Sequence, residues 1–182
     1  MVIIGLIGKK NSGKDTFADQ LCSIYDFEKY SFAKPLKKVC RELFLLDEKQ
    51  VNDPILKEKI DIRWNKSPRQ LLQLIGTDIV RKYIDENFWI KHFNFYIDKN
   101  EHKNIIVSDV RFINELNEIK NKNGILIKIN RNEINKNLND NHISETELDN
   151  YNEYDFIINN NFNSLDEYVN HINYFIENNL EL

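Results

Sequence analysis

Gly8-Lys9-Lys10-Asn11-Ser12-Gly13-Lys14-Asp15-Thr16 decides the fold. The apolar run before it, Val2 to Ile7, reads as a buried strand. The stretch after it, from Gly13 through Cys22, reads as a helix with Phe17, Leu21 and Ile24 on its inner face. A strand, a glycine-rich loop and a helix, with the spacing G-x-x-x-x-G-K, form the arrangement of a phosphate-binding loop. The two glycines let backbone N–H groups turn inward around phosphate oxygens, the helix N-terminus adds positive potential, and Lys14 can reach the terminal phosphates of a nucleoside triphosphate. Asp15 stands where Ser or Thr usually ligates Mg²⁺ in such loops, with Thr16 one place on. The carboxylate could hold the ion directly or through water, or leave Thr16 to do so.

Outward from the loop, strands and helices alternate. A second strand is expected over Tyr30 to Ala33, ended by Pro35, then a helix with Leu36, Val39, Cys40, Leu43 and Phe44 at spacings of 3 and 4. Ser67-Pro68 is a helix start, a serine N-cap followed by proline at the first helical position. Leu71, Leu72, Ile75, Ile79 and Ile84 carry its apolar face, and Arg69 and Gln73 share another. Phe88 to Ile97 predicts an aromatic-rich helix, and Ile105 to Val107 a strand ending at Ser108-Asp109. Ile113, Leu116 and Ile119 mark a helix stopped by Gly124. Ile125 to Ile129 and Asp155 to Ile158 are the last strands, and Leu165 to Ile176 a closing helix. This alternation implies an α/β fold with a parallel central sheet and helices on both faces. With no internal repeat and no Gly/Ser linker, residues 1–182 read as one domain, with a helical substrate region at about 50–100 and an aperiodic flap at Asn132 to Asn150.

Composition narrows the function. At 182 residues, 41% hydrophobic and 30% charged, the chain is globular in character. The net charge of −4 argues against a partner that is a nucleic-acid polymer, which calls for a basic surface. No apolar run approaches a bilayer span and no signal-peptide layout precedes the first strand, so a cytoplasmic protein with no membrane partner is expected. Cys22 and Cys40 lack C-x-x-C spacing and are expected as reduced thiols. Of 27 Asn, 20 fall from Arg111 onward, but apolar pairs such as Ile157-Ile158 persist among them. The excess therefore reads as A+T-rich coding rather than a disordered tract.

Two further constellations carry chemistry. An apolar strand ending in Ser108-Asp109-Val110-Arg111 beside the loop strand places a carboxylate and a guanidinium at the carboxyl edge of the sheet, where such folds bind ligands. Asp109 could order metal-bound water or contact a substrate, and Arg111 could neutralise transferring charge. Arg69, Gln73, Thr77 and Asp78 on the Ser67 helix are equally consistent with a binding face and a solvated one. Trp89 is as readily a core residue as a base-stacking one. The four histidines form no metal-ligand pattern.

The string Gly8 to Thr16, with Ala33-Lys34-Pro35-Leu36-Lys37, Arg69-Gln70-Leu71-Leu72-Gln73-Leu74-Ile75-Gly76-Thr77-Asp78, Phe88-Trp89-Ile90-Lys91, Ser108-Asp109-Val110-Arg111, Glu115, Arg131 and His142-Ile143-Ser144-Glu145, resembles phage-type deoxynucleoside monophosphate kinases. The resemblance runs from about Ile3 to the C-terminal helix. It implies the three-layer P-loop kinase fold, transfer of the γ-phosphoryl group of ATP to a deoxynucleoside 5′-monophosphate, and Mg²⁺ as cofactor. It assigns Gly8, Asn11, Ser12, Gly13, Lys14, Asp15 and Thr16 to ATP and its metal. Lys10, Lys37, Arg69, Gln73, Thr77, Asp78, Trp89, Asp109, Arg111 and Glu115 fall to the monophosphate. Arg131, His142 and Glu145 belong to a lid at about 131–150, with Lys14, Arg111 and Arg131 as the catalytic cations. The A+T bias together with the resemblance implies a viral source acting in host cytoplasm, and the aromatic-rich helix Phe88 to Ile97 is the candidate surface for a homodimer. Asn11 stands where a basic residue can occur, and the stretch between Lys37 and Arg69 is shorter than in some relatives. Phosphomevalonate kinase is the nearest enzymatic alternative. A guanine-nucleotide switch predicts Asn-Lys-x-Asp, which none of the Asn-Lys pairs at Asn65, Asn121 and Asn135 completes.

Overall fold

The computed structural model describes residues 1–131 and 141–180. The chain divides into two compact units, Met1–Ser31 with Tyr96–Leu182, and Phe32–Phe95. The helical region expected at about 50–100 falls largely in the second, which begins earlier, at Phe32. Residues 132–140 of the expected lid lie outside the described residues.

The first unit is built on five parallel strands: β1 (Ile3–Ile7), β2 (Phe27–Tyr30), β3 (Asn104–Val107), β4 (Ile125–Asn130) and β5 (Phe156–Asn159), in the order β2-β3-β1-β4-β5. All five β1 residues are buried, as expected of a central parallel strand covered on both faces. Ile4 and Leu6 point to one face and join Phe17, Ala18 and Leu21 of α1 (Lys14–Ile24) and Ile172, Phe175 and Ile176 of α8 (Leu165–Asn179) in the main core. On the opposite face a Cβ at Gly5 would sit 2.7 Å from Ile119 of α6 (Ile113–Asn121), so that helix lies directly against the strand. Winding reverses at β1, with β2 and β3 on one side and β4 and β5 on the other. This is the arrangement that opens a ligand crevice beyond the carboxyl ends of the strands.

Several elements differ from the sequence reading. Ile24 is 52% exposed and Ala18 completes the inner face of α1. The second strand occupies Phe27–Tyr30, not Tyr30 to Ala33, because α2 (Ala33–Phe44) has already begun. Pro35 does not terminate the strand; it sits in the first turn of α2, where no backbone N–H is needed.

In the second unit, α2, α3 (Glu48–Asn52), a 3₁₀ turn (Leu56–Glu58), α4 (Pro68–Gln73) and a π-wound stretch (Leu74–Ile84) follow one another, and α5 (Phe88–Lys99) leads out of the unit. Val39 and Leu43 of α2 are about half exposed and only Cys40 is fully buried on that helix. Leu46, Val51 and Leu71, with Phe44, make a separate small core. Ser67 caps α4 as expected, its Oγ accepting from Gln70 N while Gln70 Oε1 accepts from Ser67 N. Beyond Gln73 the winding changes to i→i+5, which takes more residues per turn. The apolar face read at spacings of 3 and 4 is therefore rotated outward: Ile79 and Ile84 are exposed, and Gly76, Val80 and Arg81 are buried instead. On α5, Trp89, Ile90, Phe93 and Ile97 are buried, whereas Phe95 is exposed. Among the described residues no helix is long and apolar enough to cross a membrane. The two cysteines are free thiols, and burial pushes Cys40 up to about 11.

Phe17 and Ile24 provide a direct test of the α1 face. Phe17 is fully buried with its ring edge-on to Phe175 at 6.0 Å, so Phe17→Ala is predicted to lower unfolding free energy by about 3–5 kcal/mol. Ile24→Ala should shift it by less than about 0.5 kcal/mol. Similar losses in urea denaturation for the two variants would contradict this packing.

Candidate active site

The loop between β1 and α1 is shaped by three residues with positive φ: Gly8 (154°), Asn11 (61°) and Gly13 (106°). Space alone excludes a side chain at both glycines. A Cβ on Gly8 would lie 2.3 Å from Ile129 O and 2.7 Å from Ser12 Oγ, and one on Gly13 would lie 2.5 Å from Asn160 Nδ2. Ser12 is 1% exposed and its hydroxyl has no hydrogen-bond partner among the described residues. A buried hydroxyl within a turn of positive-φ backbone is suited to an oxygen-rich anion.

Lys14 curls back over the loop, donating from Nζ to Gly8 O and Lys9 O, each at 2.7 Å. Burial lowers its pKa to about 8, with Arg111 adding to the effect and Asp15, Glu145 and Asp109 opposing it. The two carbonyls thus hold the buried ammonium over the loop. Asp15, exposed, pairs with Lys29 at 2.8 Å, and Lys29 also pairs with Asp19 at 3.0 Å. Thr16 is half-buried.

At the end of β3, Asp109 Oδ2 accepts from Ser31 Oγ at 2.7 Å. Burial weighs against the Arg111 charge, but Glu145, Asp109 and Glu115 outweigh it and hold the guanidinium above its ordinary pKa. Arg111 forms an ion pair with Glu145 and donates from Nη1 to Ser144 O at 3.2 Å. Glu115, 2% exposed, accepts from the backbone N–H of Arg111 at 2.8 Å and of Phe112 at 3.2 Å, so its carboxylate caps the start of α6. Glu145 belongs to the helical turn α7 (Ile143–Thr146), which His142 caps by accepting from Ser144 N at Nδ1. That turn is fastened to the first unit by Lys9, which donates to Glu145 O and pairs with Asp149, and by Glu147, which accepts from Ile113 N at 2.7 Å. Arg131 is close enough to Tyr168 for its charge to act on the phenol.

The structure thus gathers Gly8, Lys10, Asn11, Ser12, Gly13, Lys14, Asp15, Thr16, Asp109, Arg111, Glu115, Arg131, His142 and Glu145 into one unit. Lys37, Arg69, Gln73, Thr77, Asp78 and Trp89 belong to the other. There, Lys37 Nζ donates to Asn52 Oδ1 at 2.9 Å and Arg69 Nε donates to Glu58 at 2.7 Å. Thr77 and Asp78 lie on the π-wound stretch. Trp89 is 6% exposed and donates its indole N–H to Gly76 O at 2.9 Å, which gives the ring a packing role here. Ser31, Lys9, Glu147 and Asp149 were not singled out in the sequence, because each acts through a partner distant in the chain.

A parallel sheet reversing at its central strand, with a glycine-rich loop and a lysine at that strand's end, defines a phosphate-binding protein of the P-loop class. Comparison with known proteins agrees. The profile of a family described as deoxynucleotide monophosphate kinase matches residues 2–63 and 46–172. A protein of Acanthamoeba polyphaga mimivirus, named "Putative deoxynucleotide monophosphate kinase", is 43% identical over 185 residues spanning 94% of each chain. The deoxynucleoside-5′-monophosphate kinase of Escherichia phage T5 is 39% identical over 49 residues, 27% of this chain and 20% of that one. Among solved structures, TT1252 from Thermus thermophilus shares the fold at 14% identity, with a TM-score of 0.52 over 97% of each chain. The dephospho-CoA kinase from Campylobacter jejuni aligns over 96% of this chain and 95% of that one, at 20% identity and a TM-score of 0.48. The chain belongs to the deoxynucleotide monophosphate kinase family, and is therefore a phosphotransferase.

The depressed Lys14 pKa has a measurable consequence. Below about pH 8 the free protein already carries the Lys14 proton; above it, binding a polyphosphate must first restore that proton. ATP affinity measured by calorimetry is therefore predicted to weaken as pH rises from 8 to 9.5, and Lys14→Met should bind weakly with little pH dependence. An unchanged affinity across that interval in the native protein would contradict the assignment.

Proposed function

We propose that the chain transfers the γ-phosphoryl group of ATP to a deoxynucleoside 5′-monophosphate, with the triphosphate seated on the loop from Gly8 to Thr16. The observation that carries this reading is the loop itself: two glycines admitting no Cβ, a buried Ser12 hydroxyl with no partner among the described residues, and Lys14 folded onto its carbonyls. Phosphoryl transfer needs placement and charge neutralisation more than covalent chemistry. Backbone N–H groups of the loop would orient the phosphates, and Lys14 would exchange two carbonyls for phosphate oxygens. Arg111 would release Glu145 and turn to the transferring group, joined by Arg131 of the stretch read as the lid. Exclusion of water from the site would suppress idle ATP hydrolysis.

The residues present fit Mg²⁺. Asp15 and Thr16 are hard oxygen donors at the start of α1, suited to an ion that keeps several waters and takes its remaining ligands from substrate phosphates. Among the described residues no group of three or more His, Cys, Asp or Glu could hold a metal alone. When bound, the ion supplies charge compensation at the phosphate oxygens.

In the second unit, the family resemblance assigns Lys37, Arg69, Gln73, Thr77 and Asp78 to the monophosphate. Arg69 supports this in a specific way. Its side chain is only 13% exposed and is held by Glu58, so the guanidinium is preorganised to exchange one carboxylate for a phosphate.

An ADP-release assay with ATP and Mg²⁺ against dTMP, dGMP, dCMP, dAMP, the ribonucleotides and phosphomevalonate tests the reaction. Turnover is expected with at least one deoxynucleotide. Turnover with none, or with phosphomevalonate alone, would overturn the proposal. Lys14→Ala should reduce kcat by a factor on the order of 100 or more with the fold intact. Arg69→Ala is predicted to raise KM for the monophosphate about tenfold or more while leaving KM for ATP within about twofold. Equal damage to both constants would contradict its placement.

A further inference from the structure

Two side chains that no motif marks hold the loop from behind. Asn160 directly follows β5, is 4% exposed, and is pinned to β4 by its backbone N–H, which donates to Asn130 O at 2.8 Å. Its side-chain Nδ2 donates to Ser12 O at 2.9 Å. Tyr168, on the first turn of α8 and 3% exposed, donates its hydroxyl to Gly13 O at 3.3 Å. The same carbonyl accepts the first helical bond of α1, from Phe17 N at 3.1 Å. Phe162 stacks on the Tyr168 ring, with centroids 5.8 Å apart at 25°.

The direction of these bonds matters. Among the described residues all peptide bonds are trans, so the C=O of one residue and the N–H of the next point in opposite directions. A carbonyl of Ser12 drawn outward to Asn160 turns the N–H of Gly13 inward, and a carbonyl of Gly13 drawn to Tyr168 turns the N–H of Lys14 inward. Both amides sit at the start of α1, where a helix leaves its N–H groups without intrahelical partners and free for an anion. The same two side chains fill the volume that a Cβ on Gly13 would need, Asn160 Nδ2 at 2.5 Å and Tyr168 Cε1 at 2.7 Å. Asn160, Tyr168 and the glycine are therefore one arrangement. Burial raises the pKa of the phenol, so its hydroxyl remains a donor through the physiological range.

We infer that Asn160 and Tyr168 are positioning residues of the phosphate cradle, which fix the Ser12–Gly13 and Gly13–Lys14 peptides with their N–H groups aimed at a polyphosphate. They act through the loop backbone and do not touch the reacting atoms. The inference rests on the reading of this loop as the ATP site.

The test uses the full chain, with inorganic tripolyphosphate as the calorimetric probe and steady-state kinetics alongside. Asn160→Leu keeps the volume and removes the donor; Tyr168→Phe keeps the stacked ring and removes only the hydroxyl. Asn160→Leu is expected to raise the tripolyphosphate Kd and the KM for ATP about tenfold, and Tyr168→Phe about threefold. KM for the monophosphate should stay within about twofold in both. A general structural role would instead damage both substrates together and lower Tm, and that outcome would overturn the inference. So would an unchanged Kd in Tyr168→Phe, which decides the matter if Asn160→Leu does not fold. Lys14→Ala separates the two levels. If it abolishes tripolyphosphate binding while the Asn160 and Tyr168 variants retain it, the inference fails and the loop assignment stands. If Lys14→Ala binds normally, both fail.

Discussion

Between Ile7 and Lys14 the backbone passes so close to β4 that a methyl group on Gly8 would overlap Ile129 O, at 2.3 Å. This close approach is the constraint to which the rest of the first unit answers. It requires a strand on either side of β1 to support the loop, a helix beginning immediately at Lys14, and packing from α8 and the end of β5 to hold the loop's outer surface. Once these are in place, the loop holds its positive-φ turns with the Ser12 hydroxyl buried and Lys14 folded over it. The main core of Ile4, Leu6, Phe17, Leu21, Ile172 and Ile176 is the scaffold that makes the approach rigid.

Charge organises the second layer. Three of the cations read as phosphate ligands are engaged within the fold: Lys14 with two carbonyls, Arg111 with Glu145, Arg69 with Glu58. Such pairs lower the cost of holding partly buried cations and keep them oriented, at the expense of exchange when phosphate arrives. They also explain how a chain of net charge −4 handles anionic substrates. The carboxylates serve as counterions to these cations, Glu145 from a helical turn within the stretch read as the lid and Glu58 from the second unit.

The second unit shows a different use of local structure. The Ser67 cap starts an ordinary α-helix, and the change to i→i+5 winding after Gln73 turns Gly76, Val80 and Arg81 inward. Gly76 offers its carbonyl to the Trp89 indole, and its missing Cβ leaves room for Leu36. A π-wound stretch costs helix regularity and is often found where function sets side-chain direction. Here it carries Thr77 and Asp78, the polar pair that the family resemblance places around the monophosphate.

By itself the sequence determined the class of fold and the location of the phosphate loop, because both depend on local signals. A buried strand is a run of apolar residues, a phosphate loop needs glycines and a lysine at set intervals, and a Ser-Pro helix start is written in adjacent residues. It also ordered the later strands correctly along the chain, to within a residue or two for β1, β3, β4 and β5. What only the tertiary structure decided were matters of contact between distant residues and of helical winding. The exposure of Ile24 and Val39, the early end of β2 and the rotated face beyond Gln73 all follow from which neighbour each element meets. So do the capping role of Glu115, the pairing of Arg111 with Glu145, and the hold of Asn160 and Tyr168 on a loop about 150 positions earlier in the chain. A hydrogen bond across that separation leaves no periodicity and no spacing to read. It exists only because the sheet brings the ends of β1 and β5 to the same edge.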